Sequence, residues 1–385
     1  MNKRILAASL VLLTTASVAQ AATYTVTLIG GSLGGLEIGN TPRALNDSGQ
    51  IVGESFTTGN APTRPALWNG QAGPVELEGL VEGVDGRAFG MNNSGQVVGT
   101  DGTPAQNRAT LWNNTQNPRN LGTLNDSLGT SAANDINNSG QVVGDSNNGA
   151  INSRQAFLWE DTIDGGAMLA LDFLSGGNVS SARSINDVGQ IAGYSDGSAP
   201  GGISAVLWDN SPGRPITEIG TLPGDSNSLA FDINLSGTVV GYSTGSTGDR
   251  AFIWDYASEQ MTDLGTLGDD FSRAKSINDS GLVVGRSAGS AGSFRNLGFL
   301  WDGTNGMRSL DSLLAPAYAD WGIYDAVAIN SAGQILGWGQ RSNSGMQGML
   351  LLTPVVPVPL PAVVWLMLSG LASLGWLKYR RAAAC

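Results

Sequence analysis

Between residues 22 and 354 the apolar positions fall in short runs, rich in Val, Ile, Leu, Phe and Trp, divided by clusters of Gly, Asn, Asp and Ser. Short β-branched and aromatic runs bounded by turn-formers predict strands, not helices. One pattern recurs along the whole stretch. Leu45-Asn46-Asp47-Ser48-Gly49-Gln50-Ile51-Val52-Gly53 and Met91-Asn92-Asn93-Ser94-Gly95-Gln96-Val97-Val98-Gly99 are its first copies, and it returns at 136–144, 185–193, 233–241, 277–285 and 329–337. The anchoring residues Asn46, Asn92, Asn137, Asn186, Asn234, Asn278 and Asn330 are spaced by 46, 45, 49, 48, 44 and 52 residues. The Asn can form an Asx-turn and the Gly can take positive φ, which is the chemistry of a tight hairpin.

Two more landmarks travel with each copy. An Ala-aliphatic-Trp run follows the asparagine and ends at Trp68, Trp112, Trp159, Trp208, Trp254 and Trp301, with Leu351 in the seventh copy. A Leu-Gly-Thr-Leu run precedes it, as at 121–124, 219–222 and 264–267. The unit thus offers four strand-like runs: the Leu-Gly-Thr-Leu run, the run ending in Ile-Asn, the Gln-Val-Val-Gly run and the Trp run. Four strands in about 47 residues, written seven times, predict an all-β fold with a seven-repeat β-propeller-like domain over 22–354. The terminal Gly of each Gln-Val-Val-Gly run is expected to permit close backbone approach. The alternative is an open β-solenoid, which tolerates the spread of spacings less well. The repeated tryptophans, flanked by apolar residues at equivalent positions, are expected in the core.

The two ends read differently. Residues 1–21 predict a signal peptide: Lys3 and Arg4, an apolar run, then Ala19-Gln20-Ala21 as a cleavage site. Residues 362–377 are uncharged and predict a C-terminal transmembrane helix, with Trp365 and Trp376 near its ends and Lys378, Arg380 and Arg381 beyond. The positive-inside rule leaves the tail cytoplasmic and the repeats outside.

Composition narrows the chemistry. The 385 residues contain no histidine and one cysteine, Cys385, which removes His-based triads, imidazole metal ligands and disulfides. The net charge is −12, and the five basic residues outside the repeats (Lys3, Arg4, Lys378, Arg380 and Arg381) leave 15 basic against 32 acidic, a net of −17. Such a surface argues against nucleic acid and repels anionic polymers unless divalent cations bridge the two.

Residues 358–366, with Val358, Pro359, Leu360 and Pro361 ahead of the apolar span and the basic cluster, closely resemble the VPLPA-type variant of the PEP-CTERM sorting signal. That resemblance assigns 355–385 to a sorting signal and implies processing by an exosortase in a Gram-negative bacterium that makes extracellular polysaccharide. It also implies secretion across the inner membrane, with the domain at the cell surface or outside the cell. Leu360 stands where the commoner form has an acidic residue, and the alternative is a plain membrane anchor. The repeats themselves resemble the bacterial extracellular HAF repeat family, which implies an exported scaffold with no established activity. The namesake histidine is absent from every copy, where Pro65, Arg108, Gln155, Ser204, Arg250, Leu297 and Gln347 stand instead.

Three sets of residues are candidates for binding. Trp321, Tyr324 and Trp338, aromatic and outside the repeat pattern, suit ligand contact, as do Tyr194 and Tyr242 after two of the Gly turns. Asp126, Asp225, Asp269 and Asp270, with Asp85 in a looser match, follow the Leu-Gly-Thr-Leu run and are candidate Ca²⁺ ligands on one face, although no Asp-x-Asp-x-Asp-Gly loop accompanies them. Segments 55–65, 147–154, 196–203 and 287–296 are polar, Gly/Ser-rich and variable, as binding loops on a rigid scaffold are. No catalytic residues stand out. The expected function is a non-catalytic surface or matrix module that binds extracellular polysaccharide or a surface protein. The alternatives are a carbohydrate-active enzyme, a glycosidase or polysaccharide lyase, on the same scaffold, and an inert spacer.

Overall fold

The computed structural model describes residues 23–33, 40–56, 62–70, 72–103, 106–125, 129–147, 154–163, 165–197, 202–289 and 296–355. The signal segment and the span 362–377 with its lead Val358, Pro359, Leu360 and Pro361 lie outside them. Among the described residues no helix is long and apolar enough to cross a membrane.

Among the described residues, twenty-eight strands form seven four-stranded antiparallel sheets, the blades of a β-propeller. Blade 3 shows the common plan: inner strand Ser131–Ile136, second strand Val142–Asn147, third strand Arg154–Glu160 and outer strand Ala167–Ala170, in that spatial order. Three of the four predicted runs are therefore strands where expected. The Leu-Gly-Thr-Leu run is not one. At 121–124 and 264–267 it is the connection that crosses to the next blade, and only at Ile216–Gly220 does the outer strand reach into it. The outer strand is instead the segment just before, such as Gln260–Asp263, whose mostly exposed side chains carry little apolar periodicity. The Leu that opens the run is buried and fixes the crossing: Leu121 N donates to Ala109 O, and Leu264 N to Ala251 O, both at 2.9 Å.

The repeated residues are explained by packing. Trp68, Trp112, Trp159, Trp208 and Trp254 are buried between blades, as expected, and Trp301 is half-buried. The indole N–H of Trp112 donates to Glu78 O at 2.7 Å and that of Trp208 to Asp172 O at 2.9 Å, whereas the indole N–H of Trp68 is buried without a partner. A Cβ on Gly144 would lie 1.9 Å from Ala132 O of the inner strand, and Gly99 and Gly241 meet Arg87 O and Leu229 O at the same distance. The glycine is required by that approach.

Buried serines sew blade to blade, which the sequence reading did not anticipate. Ser131, Ser228 and Ser272 open or lie within inner strands and accept from the third-strand N–H of the preceding blade, at Ala109, Ala205 and Ala251, at 2.8–2.9 Å. Each hydroxyl in turn donates to the crossover carbonyl of Gly122, Gly220 or Gly265. A second serine, two residues after the Val-Val-Gly glycine, accepts from the crossover itself: Leu124 N to Ser146 Oγ at 3.0 Å, Leu174 N to Ser195 Oγ at 3.1 Å and Leu267 N to Ser287 Oγ at 2.9 Å. Blade 2 carries Asp101 there, which takes Leu80 N at 2.8 Å.

The seven anchor asparagines form a closed ring. Asn46 Nδ2 donates to Asn92 O, Asn92 to Asn137 O, Asn137 to Asn186 O, Asn186 to Asn234 O, Asn234 to Asn278 O, Asn278 to Asn330 O and Asn330 back to Asn46 O, at 2.9–3.3 Å. Within each hairpin the Asn Oδ1 also accepts a backbone N–H four residues on, for example Gln141 N to Asn137 Oδ1 at 3.0 Å. All seven side chains are buried.

Closure comes from the far end of the chain. Blade 7 has the order Thr23–Leu28, Gln347–Val355, Ile335–Arg341, Trp321–Ile329, so the first strand of the domain is the outer strand of the last blade.

The Gly144→Ala variant is expected to lower stability by about 1–3 kcal/mol, the range for forcing a group into a packed site. Gly73→Ala, where nothing lies within 4 Å of the new Cβ, is expected to be near neutral. Thermal unfolding of the two variants side by side checks the difference.

Candidate functional site

The inner strands run from the face that bears the blade-to-blade crossings to the asparagine ring, and they wall a central channel. Every inner strand is bulged at the same place. Its register with the second strand skips the residue three before the ring asparagine, as between Ala133 and Asp135 or Ala182 and Ser184. A bulge re-aims the side chain of the extra residue. The seven skipped residues are Arg43, Phe89, Asn134, Arg183, Phe231, Lys275 and Val327, and all seven line one cavity of about 290 Å³. This site was missed at the sequence level. Its signal was present: the residue before each bulge is Ala in six copies and Pro42 in the first, whereas the bulge column changes character from copy to copy.

The next residue toward the ring lines the same cavity. It is Ala44, Gly90 and Ala328 in blades 1, 2 and 7, but Asp135, Ser184, Asp232 and Ser276 in blades 3 to 6. Ser184 Oγ lies 2.9 Å from both Asp135 Oδ2 and Asp232 Oδ1. A hydroxyl carries one proton and can donate to only one of them, so the second contact closes when that carboxyl is itself protonated and donates to Ser184. Burial agrees with this. The channel admits a water-sized sphere, so the carboxylates are part-exposed by area, yet protein surrounds them on nearly all sides. Desolvation pushes the Asp135 carboxyl up to about 7; the Ile185 N–H opposes the rise and the neighbouring Asp232 adds to it. Burial raises Asp232 as well. Backbone groups of four blades are tied in, because Ile136 N and Ile185 N donate to Asp135 while Ile233 N and Ile277 N donate to Asp232.

Above this belt the wall is cationic. Arg43 pairs with Glu54 at 2.7 Å and Lys275 with Asp325 at 2.5 Å. Burial draws the Lys275 ammonium below its ordinary range; Asp325 opposes this, and the positive charges of Arg286 and Arg43 add to it. Beyond the belt, at the ring mouth, polarity reverses. Asp47 accepts from Ser331 N at 2.9 Å and from Asn93 Nδ2 at 2.8 Å. Burial alone would raise its carboxyl, but these hydrogen bonds hold it below the usual range.

The sequence-predicted candidates are dispersed. Trp321 is 8% exposed and packs in the core with Tyr24 and Ile323, so its ring is a core element. Trp338 packs against a different cluster, beside Ile51 and Met349, and Tyr324 donates to Gln340 Oε1 at 2.6 Å. Tyr194 and Tyr242 do bear on the channel wall. The Arg183 guanidinium sits 5.4 Å from the centre of the Tyr194 ring, and Phe231 stacks on Tyr242 at 5.6 Å. Of the acidic candidates, Asp225 pairs with Arg250 at 3.0 Å, Asp269 and Asp270 are exposed on the following crossover, and Asp85 accepts from Thr63 N at 2.8 Å. Asp126 lies outside the described residues. Among the described residues no three His, Cys, Asp or Glu side chains gather closely enough to hold a metal ion.

Comparison with known proteins adds a family match over part of the chain, and a fold. Residues 220–353 match the family described as Protein of unknown function (DUF3466). The match covers blades 5 and 6 and the three C-terminal strands of blade 7, and blades 1 to 4 repeat the same unit outside it. No curated protein matches the sequence. Among solved structures, the virginiamycin B lyase of Staphylococcus aureus superposes with a TM-score of 0.53 at 11% identity, covering 86% of this chain and 100% of that one. A streptogramin B lyase gives 0.51 at 10% identity, covering 86% and 98%. A puromycin hydrolase gives 0.52 at 12%, covering 83% of this chain and 54% of its own. At such identities the likeness is one of fold.

A carboxyl whose folded-state value is raised keeps a proton that the unfolded chain, with its ordinary value near ~4, has already lost. Its contribution to stability is therefore complete at low pH and declines as pH rises toward 7. Asp135→Asn is expected to flatten that decline, by at most about 1.4 kcal/mol per pH unit for one proton. Urea unfolding of both proteins at pH 4.5 to 7.5 measures the two slopes.

Proposed function

We propose that this is an exported surface or matrix protein that works as a non-catalytic binding scaffold for extracellular polysaccharide or a surface partner. The resemblance of 355–385 to a PEP-CTERM signal supports export and exosortase processing, and the HAF-like repeats support a scaffold role. The observation that carries the binding role is topological. Segments 55–65, 147–154, 196–203 and 287–296 each lead from the second strand of a blade to its third, as Val142–Asn147 is followed by Arg154–Glu160. Their anchor points therefore share the crossover face, opposite the asparagine ring. Variable polar loops rooted side by side on a rigid body suit the reading of an extended ligand.

The channel carboxylates favour this reading over the enzyme. Asp135 and Asp232 approach the same serine, but their oxygens already accept backbone hydrogen bonds from four residues. They sew blades together and offer no free general acid and nucleophile of the kind glycoside hydrolysis needs.

Co-sedimentation of the full chain with the host's extracellular polysaccharide, with Ca²⁺ and with chelator, tests the proposal. Binding is expected to fall severalfold when 148–153 and 198–201 are both replaced by Gly-Ser segments of equal length, with unfolding temperature unchanged. Equal binding by the replaced protein, or none by either, overturns it.

A further inference from the structure

The bulge layer of the channel carries a charge state at odds with the rest of the molecule. The chain is acidic overall, at −12, yet Arg43, Arg183 and Lys275 line one cavity. Two of these are answered by carboxylates, Glu54 and Asp325. Arg183 is not. Among the described residues it meets no carboxylate; it lies over Tyr194, and its Nε is buried without a hydrogen-bond partner. Arg286, on the second strand beside Lys275, also has a buried and unpartnered Nε. A guanidinium nitrogen held out of water without an acceptor is costly, and the rest of the Arg183 guanidinium reaches the cavity with no carboxylate to answer its charge.

The remaining bulge residues describe the rest of the ligand. Phe89, Phe231 and Val327 are apolar, so three of the seven positions suit carbon skeleton and not a hydrated inorganic ion. The Asp135–Ser184–Asp232–Ser276 belt lines the cavity on the side toward the asparagine ring.

We infer that this cavity is a binding site for a small organic carboxylate of about the size of a hexuronic acid. Its carboxylate pairs with the Arg183 guanidinium, an arrangement that favours two parallel hydrogen bonds. Its carbon face packs beside Phe89 and Phe231. A single unanswered cation in the bulge layer selects a monoanion. The site does not depend on the loops of the crossover face and stands whether or not those loops bind polysaccharide.

Isothermal titration of the full chain with glucuronate, glucose and inorganic phosphate tests the assignment. Glucuronate is expected to bind and glucose not to. Arg183→Gln is expected to weaken glucuronate at least about tenfold, the scale of one charge-assisted hydrogen bond, and Arg183→Lys is expected to retain part of the affinity. Unfolding temperatures of both variants show that the fold is kept, and the Lys variant serves as the readout if the Gln variant does not fold. Equal affinity for glucose, tighter binding of phosphate, no binding of glucuronate, or full glucuronate affinity in whichever variant folds overturns the inference. The loop-replaced protein is expected to bind glucuronate like the parent, and Arg183→Gln to co-sediment like the parent, so the two readings fail separately.

Discussion

A carboxamide is the one side chain that can donate to the neighbouring blade while accepting from its own hairpin, and the whole propeller turns on that pair of bonds. Each anchor asparagine uses its oxygen to shape the turn after the inner strand and its nitrogen to reach the next asparagine's carbonyl. Repeated seven times, the second bond returns to its start at Asn330 and Asn46. An Asp here would lose the donor, and a Ser would lack the reach. Buried and fully paired, such bonds are stronger and more demanding of geometry than exposed ones. They set how closely the inner strands converge, and hence how wide the channel is. The glycine of Val-Val-Gly then follows from the bulged inner strand, and the bulge side chains follow from the width.

Regular and irregular positions divide the labour. Asn and Gly recur in every blade, Trp in six and the two serines in several, because each solves a packing problem that those blades share. The bulge position is free of that duty, since its side chain faces open channel, and there the copies diverge into cation, aromatic, amide and aliphatic. The Asp–Ser belt is a half-way case. It occupies four adjacent blades, couples all four through backbone N–H groups, and leaves the other side of the channel to Ala44, Gly90 and Ala328. The channel is therefore not sevenfold in chemistry, although its scaffold is nearly so.

How much of this the residues disclosed depends on whether a feature repeats. The asparagine spacing and the buried tryptophans made the blade count and the core legible, because local pattern and tertiary role coincide there. The Leu-Gly-Thr-Leu run misled, since an apolar pair bounded by glycine reads as a strand although it serves as an anchored crossing, while the true outer strand is exposed and patternless. The conspicuous aromatics Trp321 and Trp338 proved to be packing residues. Conversely Arg183 and Phe231 were overlooked because a bulge breaks the period of two by which strand faces are assigned. Nothing local marks that break; it appears only when the second strand is laid alongside.

The joining of Thr23–Leu28 to Gln347–Val355 has a consequence for how the molecule is made. Thr25 Oγ1 donates to Thr353 O across 328 residues of chain. The first strand of the propeller thus waits, as an unpaired edge, for nearly the last. Six blades can assemble from neighbouring segments in order, each with short-range pairings that form quickly, whereas the seventh needs the entire domain in hand and the largest loss of chain freedom. Until then the early strand is the exposed edge most open to pairing with another copy. Completion is therefore a single late event that makes a circle out of a row.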